Sequence, residues 1–332
     1  MIRPFALRDL YLVGRPQEHV VLCPIEALTR PQVPLWAALT SMLPFADGQF
    51  LTLVLEENHR RGKRSQGFVQ AKQSLARKTV FIQRLMPTLD ADKDAAAIWA
   101  RLVNDTVAVA AQRGIERVFA CAVEGGPEIA ALASAGMNQY TREDIYRLAP
   151  DTHPQVVAPP GIRPEQSADQ WEIGQLYRQI TPRLVQQAEL PPEGTTKDRY
   201  SPPGWGQGEG FCLEDRQGIA GYGYLRSGRI GHSLSIWVHP RAAESAGDLL
   251  DYGLALLNYY PPYPVYCGVR GYQSGVRAPL AQRGFALFTS QCLMVRHILA
   301  RIKETARGLV PALEKRVEAP TTTVSPTEGT LD

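Results

Sequence analysis

The chain has 332 residues, of which 44% are hydrophobic and 21% are charged, a balance typical of soluble globular proteins. Its formal net charge of +3 is too small to indicate binding to nucleic acid or to an anionic membrane. No apolar run approaches the roughly 18 residues of a membrane-spanning helix, and the start, MIRPFALRDLYLV, lacks the order of a signal peptide. We therefore expect a cytoplasmic protein with about two domains.

The five cysteines are scattered along the chain and include no pair at CxxC spacing. Cys121 and Cys267 lie inside apolar segments that predict strands. Buried, reduced thiols are therefore expected in preference to disulfides, and no metal site is predicted.

The first half of the chain predicts strands followed by a strand–helix alternation. Apolar and branched residues at 50–55 predict a clear strand. Apolar residues recur at intervals of three and four after Pro87, which predicts a helix over 95–113 that ends at Gly114. The other predicted elements are strands at 2–4, 67–73, 78–86, 118–123 and 140–148 and a short helix that begins near Pro127.

The second half predicts a similar series. Residues 149–161 are rich in proline and glycine and predict a linker. A helix is expected over 168–190, and Pro182 must bend or break it. From Arg229 to His297 the pattern predicts a strand ending in Val-x-Pro, a long helix, a strand, a short helix ending in Gly-Phe and a last strand. The remaining predictions are strands at 211–215 and 218–226, a helix at 298–313 and a disordered tail at 317–332.

The two halves share short motifs in the same order. Ile162-Arg163-Pro164, followed by Asp169, repeats Ile2-Arg3-Pro4, followed by Asp9, with the same spacing. Two further pairs keep this order: Leu85-Met86-Pro87 with Val238-His239-Pro240, and Gly136-Met137 with Gly284-Phe285. This pattern predicts two copies of one α/β module, over residues 1–148 and 162–316.

The repeated plan resembles the fold of the GCN5-related N-acetyltransferases (GNAT). The resemblance implies an α/β fold with a mixed sheet, present in two tandem GNAT-like domains. In this family acetyl-coenzyme A lies where the fourth strand diverges from its neighbour. Backbone N–H groups at the start of the next helix hold its pyrophosphate, and a strand N–H polarises the thioester carbonyl.

The resemblance implies that the second copy carries the cofactor site. In the first copy, residues 88–94 keep neither glycine of the family's loop and add three acidic residues, which predicts a degenerate copy. In the second copy Glu244 stands where the first glycine belongs, and it would repel the pyrophosphate unless it points away as a helix cap. The predicted cofactor-binding residues are Trp237, Val238, Arg241, Ser245, Ala246 and Gly247.

Candidate catalytic and substrate-binding groups lie on the strands of the second copy. His232 titrates in the range of a general base, although a buried packing histidine is the alternative. Tyr222, Tyr224 and Glu214 are predicted substrate contacts, with half-buried sheet aromatics as the alternative for the two tyrosines. Leu280 occupies the position where the family usually has its leaving-group tyrosine.

We therefore predict an N-acetyltransferase that moves an acetyl group from acetyl-coenzyme A to an amine of a small molecule or peptide. The alternative is a non-catalytic GNAT-like scaffold that binds a small molecule or a protein partner. In a third possibility, one copy completes the fold of the other. No nucleic acid or membrane partner is predicted, and the sequence leaves the acceptor and the oligomeric state open.

Overall fold

The computed structural model describes most of the chain up to residue 298. The described residues belong to one compact unit, Met1–Ala300. They are residues 2–14, 19–22, 24–30, 34–42, 50–58, 64–152, 156–189 and 208–298.

Thirteen strands of the described residues form one mixed sheet. In the first half they are β1 (Ile2–Pro4), β2 (Val20–Val21), β3 (Phe50–Asn58), β4 (Arg64–Ser74), β5 (Thr79–Met86), β6 (Arg117–Val123) and β7 (Asn138–Leu148). In the second half they are β8 (Ile162–Pro164), β9 (Glu209–Asp215), β10 (Gly218–Ser227), β11 (His232–Val238), β12 (Val265–Arg270) and β13 (Ala286–His297).

Nine α-helices lie within the described part of the chain. Pro182 separates two of them, as the sequence predicted, because proline lacks the N–H that would continue the helix. The helices are α1 (Leu10–Val13), α2 (Pro24–Thr29), α3 (Pro34–Thr40), α4 (Ala95–Gln112), α5 (Pro127–Ser134), α6 (Gln170–Ile180), α7 (Arg183–Glu189), α8 (Ala246–Leu256) and α9 (Arg277–Gln282).

The strand order is β1-β3-β4-β5-β6-β13-β7-β12-β11-β10-β9-β8, and β2 pairs with the part of β5 that lies beyond its pairing with β6. Neighbours are antiparallel except for β5–β6 and β11–β12, which are parallel. This mixed sheet with helices confirms the predicted α/β fold class.

The two repeats exchange their last strands. β7, from the first repeat, pairs with β12 of the second, and β13, from the second, pairs with β6 of the first. The exchanged strands also pair with each other at the centre of the sheet. Each repeat therefore supplies a strand to the sheet of the other. The third possibility raised by the sequence, in which one copy completes the fold of the other, holds here for both copies.

The helices that follow the opening strands also cross between the repeats. The carbonyl of Thr29, at the end of α2, accepts a hydrogen bond of 3.3 Å from Ile230 N beside β11. In return, Arg117 Nη1 on β6 donates a 3.0 Å bond to the carbonyl of Ala188 on α7. These two hydrogen bonds to helix carbonyls join the two repeats.

A repeated ion pair explains the Ile-Arg-Pro motif. Arg3 holds both carboxylate oxygens of Asp9 at 2.6 and 2.7 Å, and Arg163 holds those of Asp169 at 2.7 and 2.8 Å. Because Arg163 stabilises the ionised form, it holds the pKa of Asp169 below its usual range. The same contact at both positions supports the predicted duplication.

Each repeat packs one long helix across its strands, and a glycine allows the close approach. A Cβ atom at Gly67 on β4 would lie 2.7 Å from Ile98 Cγ2 on α4, and one at Gly221 on β10 would lie 2.5 Å from Leu249 Cδ1 on α8. Both approaches are too close for any side chain. This repeated feature was not anticipated from the sequence.

Several predictions fall at the margins of the described chain. The predicted linker lies between β7, which ends at Leu148, and β8, which begins at Ile162; the division into two domains stays a prediction. Residues 299–313 of the predicted last helix, and the predicted tail at 317–332, lie outside the described residues. Four cysteines are free and buried, as expected, namely Cys121, Cys212, Cys267 and Cys292.

None of the helices in the described ranges combines the length and the apolarity needed to cross a membrane.

Candidate functional site

Each repeat contains a cleft where its parallel strand pair diverges. β11 pairs with β12 only from His232 to Leu234, although the strand continues to Val238. β5 likewise pairs with β6 only from Thr79 to Phe81. Past these points the backbone of β11 and of β5 faces a cleft rather than a neighbouring parallel strand.

In the first repeat the chain itself fills this edge. Val20 and Val21 of β2 pair with Leu85 and Arg84 of β5. The backbone N–H of Leu22 adds a 2.8 Å hydrogen bond to the carbonyl of Gln83. The cleft-facing backbone of β5 is therefore already paired with a short antiparallel strand.

In the second repeat, no strand of the described residues lies on this edge. Val238 precedes Pro240 by the same spacing as Leu85 precedes Pro87, so Val238 is the equivalent of a residue that pairs with β2. Gln273 Nε2 donates a 3.5 Å bond to the Ile236 carbonyl, which places the Ile236 backbone on the cleft side. Because strand residues alternate, the Val238 N–H faces the same side.

Aromatic side chains cover the α6 side of this cleft. The ring of Trp237 lies 5.2 Å from that of Tyr177 and 5.4 Å from that of Tyr222, centroid to centroid. The Tyr224 ring lies 6.5 Å from Tyr222 on the same face of β10. The structure therefore brings together four of the predicted residues, Val238, Trp237, Tyr222 and Tyr224.

A buried charged network lies beside these rings. Arg270, at the end of β12, pairs with Glu143 Oε1 at 2.9 Å and with Glu189 Oε1 at 3.0 Å. Glu189 also accepts hydrogen bonds from Tyr140 at 2.9 Å and from Tyr177 at 3.0 Å. Tyr140 and Glu143 belong to β7, so the strand exchange delivers first-repeat side chains to the second-repeat cleft.

The arginine and the two tyrosines of this network have raised pKa values. Burial lowers the pKa of the Arg270 guanidinium, but the carboxylates of Glu143 and Glu189 outweigh this effect and raise the pKa well above its usual value. Burial, and then the charge of Glu189, raise the pKa values of Tyr140 and Tyr177 well above the usual range. Both tyrosines therefore remain neutral hydrogen-bond donors to Glu189.

This network was not predicted from the sequence. Arg270 is a charged residue at the end of an otherwise apolar strand, which is a weak local signal. Glu189 and Tyr140 have no such signal, because their positions depend on the packing of α7 and on the strand exchange.

His232 does not join this group. It is the first residue of β11, and the length of the strand, about 20 Å at roughly 3.3 Å per residue, separates it from Val238. The ring is fully buried, with Nε2 2.8 Å from the Pro261 carbonyl and no hydrogen-bond partner for Nδ1 within the described chain. Burial lowers its pKa, so the neutral ring is favoured.

Glu214 and Tyr222 have partners of their own. Glu214 binds Arg163 in the second repeat, where Glu56 binds Arg3 in the first, so its contact belongs to the duplicated ion pair. The Tyr222 hydroxyl donates a 2.7 Å bond to Glu165 Oε2.

The predicted phosphate loop forms a 3₁₀ turn, Pro240–Ser245, that leads into α8. Several of its amides are engaged within the chain. The N–H of Arg241 donates to His239 Nδ1 at 3.2 Å, and that of Ala242 donates to the His239 carbonyl at 2.8 Å. The N–H of Ala246 donates to the Ala243 carbonyl. An anion bound at this turn would therefore be held more by side chains, and less by backbone N–H groups, than an anion at the loop described for the GNAT family.

Two guanidinium groups lie at this end of α8, and each has a carboxylate partner. Arg241 Nε lies 2.6 Å from Asp215 Oδ2, and Arg283 Nη2 lies 2.5 Å from Asp251 Oδ2. A Cβ atom at Gly247 would lie 2.7 Å from Arg283 Nη2. Ser245 is the N-cap residue of α8, and its side chain makes no cap hydrogen bond.

Comparisons with known proteins address the fold. The sequence matches no family model and no curated protein. A GCN5-related N-acetyltransferase from Sphaerobacter thermophilus superposes with a TM-score of 0.52 at 12% identity, over 90% of this chain and 95% of that one. A tandem GNAT protein from the clavulanic acid biosynthesis pathway superposes with a TM-score of 0.48 at 15% identity, over 90% of this chain and 98% of that one. The fold of this chain is therefore GNAT-like, as the resemblance implied, and the predicted duplication corresponds to its two strand-exchanged repeats.

Proposed function

We propose that this chain is an N-acetyltransferase that transfers an acetyl group from acetyl-coenzyme A to an amine in the cleft between β11 and β12. We further propose that it acts in the cytoplasm on a small-molecule or peptide amine. The proposal rests on the contrast between the two clefts. The β5 edge at Gln83 and Leu85 carries β2, whereas the equivalent β11 edge at Ile236 and Val238 carries no strand of the described residues.

An extended ligand with amide groups can add to such an edge as a strand does. The pantetheine arm of acetyl-coenzyme A has this character, and Ile236 and Val238 would hold it by their backbone groups. Arg241, Ser245, Ala246 and Gly247 would hold the phosphates at the start of α8. When bound, acetyl-coenzyme A supplies the acyl group as a thioester.

The aromatic side chains give the acceptor side of the cleft its chemistry. Trp237 is only 9% exposed and, with Tyr177, shields the end of β11 from water. The Tyr177 hydroxyl donates a hydrogen bond to Glu189, which fixes its orientation beside the acceptor side of the cleft. His232 lies away from Val238, so we assign proton removal to a bound water rather than to this histidine.

Thermal unfolding with and without acetyl-coenzyme A tests this proposal. A ligand at one hundred times its dissociation constant stabilises a protein by about 2.7 kcal/mol. We expect Arg241→Glu to abolish the shift. Lys93→Glu, the matched change in the loop of the first repeat, should leave it intact.

Two results would contradict a cofactor site in the second repeat. One is the absence of any shift at about 1 mM acetyl-coenzyme A. The other is an equal loss in the two variants. If binding is present, release of free coenzyme A with a panel of primary amines then tests transfer itself.

A non-catalytic scaffold is the second candidate, and one observation favours it. The amides of Arg241, Ala242 and Ala246 already have partners within the chain, which weakens the anion site of the fold. A scaffold would bind its ligand without releasing coenzyme A from any amine in the panel.

A further inference from the structure

A second cavity lies between the two repeats, away from the β11–β12 cleft. Its volume is about 920 Å³, within the range of small-molecule sites. One wall comes from α2, α3, β3 and β4 of the first repeat. The other comes from the end of β10 and the turn that follows it, at the opposite end of β11 from Val238. The lining residues used below are Glu26, Arg30, Trp36, Lys72, Arg226 and Arg229.

The charges of this lining are unbalanced. Four of its described residues are cationic and only Glu26 is acidic. Glu26 is already shared, because Oε1 lies 3.0 Å from Lys72 Nζ and Oε2 accepts a 3.3 Å bond from Gln83. An anion that entered the cavity would meet a net positive lining with little competition from the protein's own carboxylates.

Arg226 is the buried cation of this lining. It is 5% exposed, and burial, together with the nearby charge of Arg30, lowers the pKa of its guanidinium, while the charge of Glu26 partly opposes this effect. A bound anion would act on Arg226 in the same direction as Glu26.

The same cavity has an apolar wall. Trp36 on α3 is 67% exposed, which is unusual for so large an apolar side chain. Leu35, Leu39 and Phe50 lie beside it in the lining. This wall offers a flat surface on which a planar group can stack.

Short contacts hold the two walls in position. Arg30 Nη2 donates a 3.0 Å bond to the Ser227 carbonyl, and Ile230 N donates to the Thr29 carbonyl at 3.3 Å. A Cβ atom at Gly228 would lie 2.2 Å from the Thr29 carbonyl oxygen, so the backbones of these two segments are in close contact. These contacts hold the end of α2 against the turn between β10 and β11.

We propose that this cavity binds an organic anion that carries a planar apolar group. Arg30, Lys72, Arg226 and Arg229 receive its carboxylate or phosphate, and the planar group stacks on Trp36. This site is independent of the proposed acetyl transfer.

Isothermal titration calorimetry with three small probes tests the proposal. We expect 1-naphthyl phosphate or 1-naphthoate to bind at least about tenfold more tightly than neutral 1-naphthalenemethanol, because only the anions complement the lining. The difference between the two anions distinguishes a phosphate ligand from a carboxylate. Trp36→Ala and Arg229→Glu should each weaken binding by about fivefold or more, and both replace exposed side chains.

Matched controls are available on the same chain. Trp171, on α6, is 69% exposed, and Arg216 is an exposed arginine in the turn before β10. Trp171→Ala and Arg216→Glu should leave binding unchanged. Equal affinity for the neutral probe, equal losses in the controls, or no binding of either anion at about 5 mM would overturn the proposal. The thermal shift with acetyl-coenzyme A is measured in parallel, so that failure of the anion site can be distinguished from failure of the proposed acetyl transfer.

Discussion

Gln291 on β13 lies directly opposite Glu143 on β7, and its amide Nε2 donates a 2.5 Å hydrogen bond to Glu143 Oε2. The two residues occupy equivalent positions, because Gln291 follows Gly284 by the same spacing as Glu143 follows Gly136. Both are buried. The pair therefore marks the approximate twofold axis that relates the two repeats.

Gln291→Glu should place two carboxylates against each other at this axis. Like charges raise the pKa of one carboxyl in the folded state above its unfolded value near 4.3, so the cost is full at neutral pH and falls as pH approaches 4.3. We expect the free energy of unfolding to drop by about 2–4 kcal/mol at pH 7.5 and the deficit to shrink at pH 5.

Urea denaturation at the two pH values measures this effect. Gln139→Glu, at an exposed position of β7, is the matched control and should change little. A similar loss in both variants, or a deficit that does not depend on pH, would be contrary to the expectation.

His232 should make the fold sensitive to acid. Its folded pKa is lowered by burial, so the unfolded chain takes up the proton first as pH falls below about 6.5. Its contribution to stability is therefore present above that value and is lost on acidification. The maximum slope is about 1.4 kcal/mol per pH unit for one proton.

We expect His232→Asn to flatten the dependence of the unfolding free energy on pH between about 6.5 and 5. His239→Asn is the control and should have a smaller effect, because that ring is only partly buried. Chemical denaturation at several pH values provides the curves. Parallel curves for the wild-type chain and His232→Asn would show that the buried ring does not govern this dependence.

Asp215 should limit the affinity for acetyl-coenzyme A. It holds Arg241 Nε at 2.6 Å, so the guanidinium must leave this partner to contact a phosphate. Asp215→Asn should tighten binding by about threefold to tenfold at low salt, with a smaller gain at high salt because the ion pair is exposed.

A double-mutant cycle measured by calorimetry isolates this coupling. Once Arg241→Gln is present, Asp215→Asn should bring no further gain. Independent, additive effects of the two changes would place Arg241 outside the phosphate site.

Gly221→Ala and Gly67→Ala should each destabilise the fold by about 1–3 kcal/mol, because the added methyl would overlap α8 or α4. Gly275→Ala is the control, since no atom lies within 4 Å of its added Cβ. Thermal or urea unfolding gives the comparison. Wild-type stability in the Gly221 variant would mean that α8 can move away at little cost.

The sequence was sufficient for the order of the elements and for the duplication, because both depend on local patterns. Periodicity predicted α4, and punctuation by Pro87 and Pro240 located the strand ends of both repeats. The spacing between Arg163 and Asp169, which repeats that between Arg3 and Asp9, corresponds to an ion pair in the structure.

The strand exchange was beyond local reasoning. β7 and β13 occupy equivalent places in the two repeats, and whether each pairs with β6 or with β12 depends on contacts between distant segments. The same reason hid Glu189 and Arg270. It also made His232 a plausible base, because the burial of this ring against the Pro261 carbonyl depends on a segment distant in the sequence.

The strand exchange also determines how long one strand must wait for its neighbour during translation. β6 ends at Val123, but its neighbour β13 begins at Ala286, so the ribosome makes them about 10–30 seconds apart at roughly 5–20 residues per second. Throughout that interval β6 is an apolar strand with an unpaired edge, the kind of surface that promotes aggregation. We therefore expect a nascent chain of this protein to be prone to aggregation until β13 has been made. The two halves, if expressed separately, would each lack one strand and offer one, so they should be recovered together from the same cell rather than alone.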